Sequence, residues 1–191
     1  MAQAAHTLRR WKRVEYERLV ELGVFEQEPL ELIGGQLIVA EPKGAYHTSA
    51  ITSCEYTLRA ALPPGWLVRT QAPLSLDEDS APEPDLVVVA GRLGDFRHSH
   101  PARPPLVIEV ADSSLAFDRR EKGSLYARAA LQDSWIVNLV DRVLEVYRDP
   151  VADPAAVYGW RYRSVVTLRE ADVAAPLAFP SLRIAVADLL R

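Results

Sequence analysis

Leu106-Val107-Ile108-Glu109-Val110-Ala111 is apolar at every position but one. An apolar run without alternation matches a strand covered on both faces, as found in the middle of a sheet between helices. Glu109 interrupts it. An ionised carboxylate enclosed there costs several kcal/mol unless it is paired, protonated or bound to metal. The ordinary alternative is a strand-end glutamate that reaches water or a surface arginine.

Upstream lies a second strongly apolar strand, Asp85-Leu-Val-Val-Val-Ala90, opened by Asp85 just after Glu83-Pro84. Turn chemistry alone often puts Asp after Pro. If the two strands pair, however, their carboxylates can converge. Mg²⁺ and Mn²⁺ prefer such oxygen ligands, with water and substrate phosphate completing the shell. Downstream, a helix is expected from about Arg119 to Ala130, with Asp118 as N-cap and Glu121 at the capping-box position. Lys122 stands on that helix one turn before Tyr126, so both can share an inward face with Ala129. The chain has only three lysines, Lys12, Lys43 and Lys122, among 22 basic residues, and Arg119 and Arg120 flank the last. An amine can shift its pKa and approach an attacking water as a compact charge, which a guanidinium does not do equivalently. The retained lysine therefore points to chemistry; the alternative is a solvated lysine paired with Asp118 or Glu121.

The remaining elements read as a mixed series. They comprise an amphipathic helix Trp11–Leu22 ending at Gly23, a hairpin Glu31–Val39 turning on Gly34-Gly35, and a helix Tyr46–Leu62 stopped by Pro63-Pro64. Strands follow at Trp66–Thr70, Leu74–Leu76, Ser134–Leu139, Val143–Arg148 and Tyr158–Val166, before an apolar segment Phe179–Leu190. This order indicates an α/β (α+β) sheet protein, and with no repeat or long linker residues 1–191 read as one domain. No stretch approaches the roughly 18 apolar residues of a membrane span. The polar N-terminus does not read as a secretory signal. The single cysteine, Cys54, excludes an internal disulfide and a multi-cysteine zinc site, so a reducing cytoplasm is expected. A net charge of −4 argues against holding nucleic acid by bulk electrostatics, while leaving room for a local basic surface. Arg92, Arg97 and Arg103 share one loop opposed only by Asp95, reading either as a solvated loop or as a phosphate-contacting rim beside Glu109. His98 and His100 on that loop make a poor zinc site without further partners. No nucleophile elbow, zincin motif or phosphate-binding glycine loop is present.

Taken together, Pro84-Asp85, Glu109-Val110-Ala111 and Lys122 resemble the PD-(D/E)XK nuclease constellation. More narrowly, the chain resembles the Uma2 family of restriction-endonuclease-like proteins, first described as a domain of unknown function. The resemblance runs through Leu30–Ile38, His47, Pro84–Val89, Leu106–Ser114, Asp118, Lys122, Tyr126, Asp133–Val137 and the closing Phe179-Pro-Ser-Leu-Arg-Ile184. It implies a restriction-endonuclease-like mixed central sheet flanked by helices, and a Mg²⁺- or Mn²⁺-dependent endonuclease acting on DNA. The site would use Asp85 and Glu109 as metal ligands with Lys122 as the catalytic amine. One departure matters: the superfamily lysine expected two residues after the glutamate is Ala111, and the resemblance implies that Lys122 substitutes from the helix. By the same analogy Glu31 and His47 border the site, with Tyr126 as a further accessory residue. The alternative is a binding or regulatory module that keeps the fold without turnover, favoured by the acidic charge and the lack of a target-recognition domain. A homodimer is expected by analogy with nucleases that cut both strands. Trp135, Tyr147, Tyr158 and Trp160 are candidate contact residues, although core packing would use the same side chains.

Overall fold

The computed structural model describes residues 7–40 and 44–191. Helix α1 (Arg13–Glu21) precedes a hairpin of β1 (Leu30–Ile33) and β2 (Gln36–Val39), and α2 (Ala45–Ala61) follows. Gly34 and Gly35 take positive φ (55° and 80°) in the hairpin turn, as expected. The main sheet contains β3 (Trp66–Thr70), β4 (Leu86–Ala90), β5 (Leu106–Ala111), β6 (Asp133–Asn138), β7 (Val143–Ala152) and β8 (Trp160–Arg169), in that spatial order. β5 and β6 are parallel; every other neighbouring pair is antiparallel. The parallel step needs a crossover, which α3 (Leu115–Phe117), a π-helical turn (Asp118–Lys122) and α4 (Gly123–Arg128) provide. A short β9 (Val173–Ala174) and β10 (Ile184–Ala185) lead into α5 (Val186–Leu189).

β5 is buried along its whole length in the middle of the sheet, as its apolar pattern, broken only by Glu109, predicts. Its side chains divide by parity. Leu106, Ile108 and Val110 join the core under α2 and α5, with Leu58, Trp135 and Leu189. Val107 joins the opposite core, with Val87, Val89, Leu125 and Tyr126. Glu109 shares parity with Val107 and so faces the α4 side. Among the described residues no helix is long and apolar enough to cross a membrane.

Three expectations need correction. Leu74–Leu76 is no strand; Leu74 and Leu76 pack their side chains inward from a loop whose backbone bonds locally to Pro82 and Ser80. The crossover helix starts at Leu115, not after an Asp118 cap, so Asp118 lies inside it. Trp135 is fully buried and so offers no contact surface, whereas Tyr147, Tyr158 and Trp160 pack against the α4-side core while staying partly exposed.

Candidate functional site

β4 and β5 pair with Leu86 opposite Ile108, so one further step in the same register sets Asp85 opposite Glu109. Both carboxylates therefore project from one face. Asp85 is held from two sides. Its Oδ2 accepts the Val110 backbone N–H at 2.9 Å, and His47 Nε2, near the start of α2, stands 3.4 Å away.

Glu109 is neither at a strand end nor turned to water. Its Oε1 accepts the Tyr126 hydroxyl at 2.5 Å, and its carboxylate lies 3.2 Å from Lys122 Nζ. Lys122 points inward, not to solvent, and pairs also with Glu31 at 3.4 Å. Glu121, the local partner considered above, pairs with Arg120 instead. Glu31 is no mere hairpin surface residue, since its Oε2 accepts the Glu83 backbone N–H as well as facing Lys122.

Asp118 is the site residue that sequence reasoning missed. It is 3% exposed, and its Oδ2 accepts the Ser114 hydroxyl at 2.6 Å. As a cap it would have sat at the helix entrance; inside the π turn it faces the same space as Lys122. The signals were its place among the residues that carry the resemblance and its spacing, four residues before Lys122 as Tyr126 is four after. These groups surround a cavity of about 280 Å³, bordered by Glu31, His47, Asp85, Glu109, Asp118 and Lys122. Gln71, Glu83 and Ser114 also line it.

The electrostatics are lopsided. Burial pushes Glu109 up to about 8, with Lys122 pulling it back and Asp118, Asp85 and Glu31 pushing it further up. Asp118 is raised for the same reasons, burial first. Lys122 is held charged, because the attraction of Glu109, Glu31, Asp118 and Asp85 overcomes its own desolvation. One buried amine thus faces several carboxylates. Among the described residues no three His, Cys, Asp or Glu side chains stand close enough to cage a metal ion by themselves. Two facing carboxylates beside an open cavity nevertheless suit a hard cation such as Mg²⁺, which commonly takes one or two carboxylates and completes its shell with water and phosphate. The excess buried negative charge is the kind a divalent cation relieves.

A mixed sheet with facing carboxylates on adjacent strands and a crossover helix over them defines a nuclease-like fold. The chain matches the model of the Uma2 family, described as "Putative restriction endonuclease", over residues 13–187. It belongs to that family. Among solved structures it is similar to a protein from Anabaena variabilis described as "a putative nuclease belonging to DUF820", with a TM-score of 0.62 at 16% identity. That likeness covers 84% of this chain and 89% of the other, and at such identity it speaks for the fold alone. No curated protein matches the chain.

Proposed function

We propose that the protein is a metal-dependent endonuclease hydrolysing phosphodiester bonds in DNA, with Asp85 and Glu109 as ligands of Mg²⁺ or Mn²⁺. The observation that carries this reading is the facing of the two carboxylates across paired strands, with Lys122 Nζ 3.2 Å from Glu109 in the same cavity. A divalent cation held there would supply Lewis acidity to a phosphate oxygen and lower the pKa of a bound water. The chain's own residues do the positioning. Val110 N–H and His47 orient Asp85, and the Tyr126 hydroxyl fixes the rotation of Glu109. Glu31 and Glu109 hold the Lys122 ammonium, which donates to the attacking water or to the oxygens of the charged phosphorus centre. Cytoplasmic residence, with a free and buried Cys54, and pairing of two sites in a homodimer belong to the same reading.

The test is cleavage of varied single- and double-stranded DNA with Mg²⁺ or Mn²⁺, beside calorimetric titration of the metal. Asp85→Ala and Glu109→Ala should each abolish cleavage, and chelator should do the same to the parent protein. The reading falls if no metal binds at millimolar concentration and every substrate survives. The fold would then be one used for recognition.

A further inference from the structure

A second concave surface lies at the edge of the sheet, outside the cavity just described. It is a groove of about 370 Å³ whose lining includes Arg59, Arg69, Arg92, Arg97, Leu93 and Phe96. Four guanidinium groups at one place are notable in a chain of net charge −4. Arg59 is committed to Glu55 at 2.7 Å and to the Val68 carbonyl at 2.8 Å. The other three differ. Among the described residues no carboxylate forms an ion pair with the side chain of Arg69, Arg92 or Arg97; Asp95, their acidic neighbour, is spent accepting the Arg92 backbone N–H. Arg69 lies over the Phe96 ring at 5.1 Å and reaches His100 Nδ1 with one nitrogen. Its other terminal nitrogen, buried, has no hydrogen-bond partner, and among the described residues no other buried side-chain nitrogen or oxygen is left so. Exposed guanidinium groups without carboxylate partners, here Arg92 and Arg97, are what an oxyanion satisfies in bidentate fashion.

Position says which oxyanion. Leu67 and Arg69 of β3 point to one face by alternation, and Leu67 packs into the same α4-side core as Val87. Gln71, in the left-handed turn just past the end of β3, borders the candidate cavity, so Arg69 stands two residues along the chain from its lining. A chain of regularly spaced phosphates entering the cavity would run along this edge.

We propose that the groove binds the sugar-phosphate backbone of a DNA strand flanking the phosphate in the candidate site, through Arg69, Arg92 and Arg97. This rests on the DNA reading above for the identity of the strand, but not on catalysis. The test is anisotropy of labelled duplex and single-stranded oligonucleotides with the full chain in chelator, where nothing is cut. Arg69→Ala/Arg92→Ala/Arg97→Ala should weaken binding by about tenfold or more and reduce the magnitude of the salt slope by about 0.9 for each duplex phosphate that is no longer neutralised. Because Arg69 is half-buried, Arg92→Ala/Arg97→Ala, both exposed, is measured as well and should show the same loss in proportion. Arg161→Ala/Arg163→Ala, on β8 at the opposite edge, should leave affinity unchanged. Unaltered affinity and slope in both groove variants overturns the proposal, as does a parent protein that binds no oligonucleotide at micromolar concentration. Equal binding to vesicles containing phosphatidylserine, competing with DNA, overturns it in favour of a lipid surface. Binding through the groove without cleavage under any metal would sink the enzyme and leave the groove standing; cleavage with the groove variants unaffected would do the reverse.

Discussion

Lys122→Met removes the one amine from a nest of carboxylates while keeping most of the side chain's length and bulk. Lys122 is 8% exposed in its side chain and lies 3.2 Å from Glu109 and 3.4 Å from Glu31. At an effective dielectric of about 20, each ion pair is worth about 5 kcal/mol before desolvation is counted. Freeing the protein from burying an ammonium returns part of that, and loss of one partner of a buried pair leaves a net cost of about 3–5 kcal/mol. For a chain of this size the melting temperature should fall by about 6–20 °C. The pH dependence is the sharper signature. Burial already raises Glu109 to about 8 with Lys122 opposing it, and Asp118 is raised likewise, so both rise further once the amine is gone. An acid whose folded pKa exceeds its unfolded value binds more protons when folded. Its stability is therefore full below the unfolded pKa and is lost as pH rises through the folded one. The variant's deficit should be small near about pH 5 and largest above about pH 8. Urea unfolding of both proteins in chelator across that range measures it. A deficit under about 1 kcal/mol throughout, or one that does not change with pH, would refute the charge accounting.

Metal uptake should displace a proton, because Glu109 is raised to about 8 and a ligand carboxylate must be ionised. Mg²⁺ affinity measured calorimetrically should then climb from about pH 6 and level off above about pH 8, and a flat profile counts against Glu109 as ligand. Lys122→Arg should lower cleavage by about a hundredfold at unchanged secondary structure, since the larger guanidinium cannot sit as a point charge between two carboxylates. Full activity in that variant would return Lys122 to a structural part. A two-fold dimer should appear in light scattering at high micromolar concentration, and a monomer alone there would discard it.

The central strands β4 and β5 were legible because burial on both faces leaves an apolar run, here too short and too rich in β-branched residues for a buried helix. The apolar runs at Leu86–Ala90 and Leu106–Ala111 gave both strands, and the residues that interrupt or open them gave Glu109 and Asp85. Their facing was predictable only as a consequence of pairing, which the strand order then supplies. Leu74–Leu76 misled because inward-packing apolar side chains look alike whether the backbone is bonded to a sheet or to its own loop. The accessory residues were harder. Glu31 and His47 come from a hairpin and a helix remote in sequence, and nothing in their local context distinguishes a cavity wall from a surface. The hairpin is placed by long-range bonds such as Ala81 N–H to Leu32 O at 2.8 Å, which no local pattern encodes.

Asp118 was missed for a reason that leads to its own test. In a regular α-helix residues four apart drift by about 40° per step, so Asp118, Lys122 and Tyr126 would span about 80°. The extra residue accommodated by the π turn takes out about 100°, leaving Asp118 and Tyr126 within about 20° of each other. All three are accordingly buried, at 3%, 6% and 1% exposure. The turn closes where Gly123 N–H donates to the Asp118 carbonyl, and a Cβ on Gly123 would stand 3.3 Å from that same oxygen. Gly123 has ordinary helical φ of −58°, so Gly→Ala at a regular helix interior would be expected to stabilise by about 0.8–1 kcal/mol. Here the carbonyl belongs to a buried residue fixed by Ser114 and by the charges around it, and it cannot retreat without turning Asp118 away from the cavity. Gly123→Ala should therefore gain no stability in chemical unfolding. The full gain of about 1 kcal/mol would mean that the wide turn yields easily, and that it does not hold Asp118 and Lys122 in line.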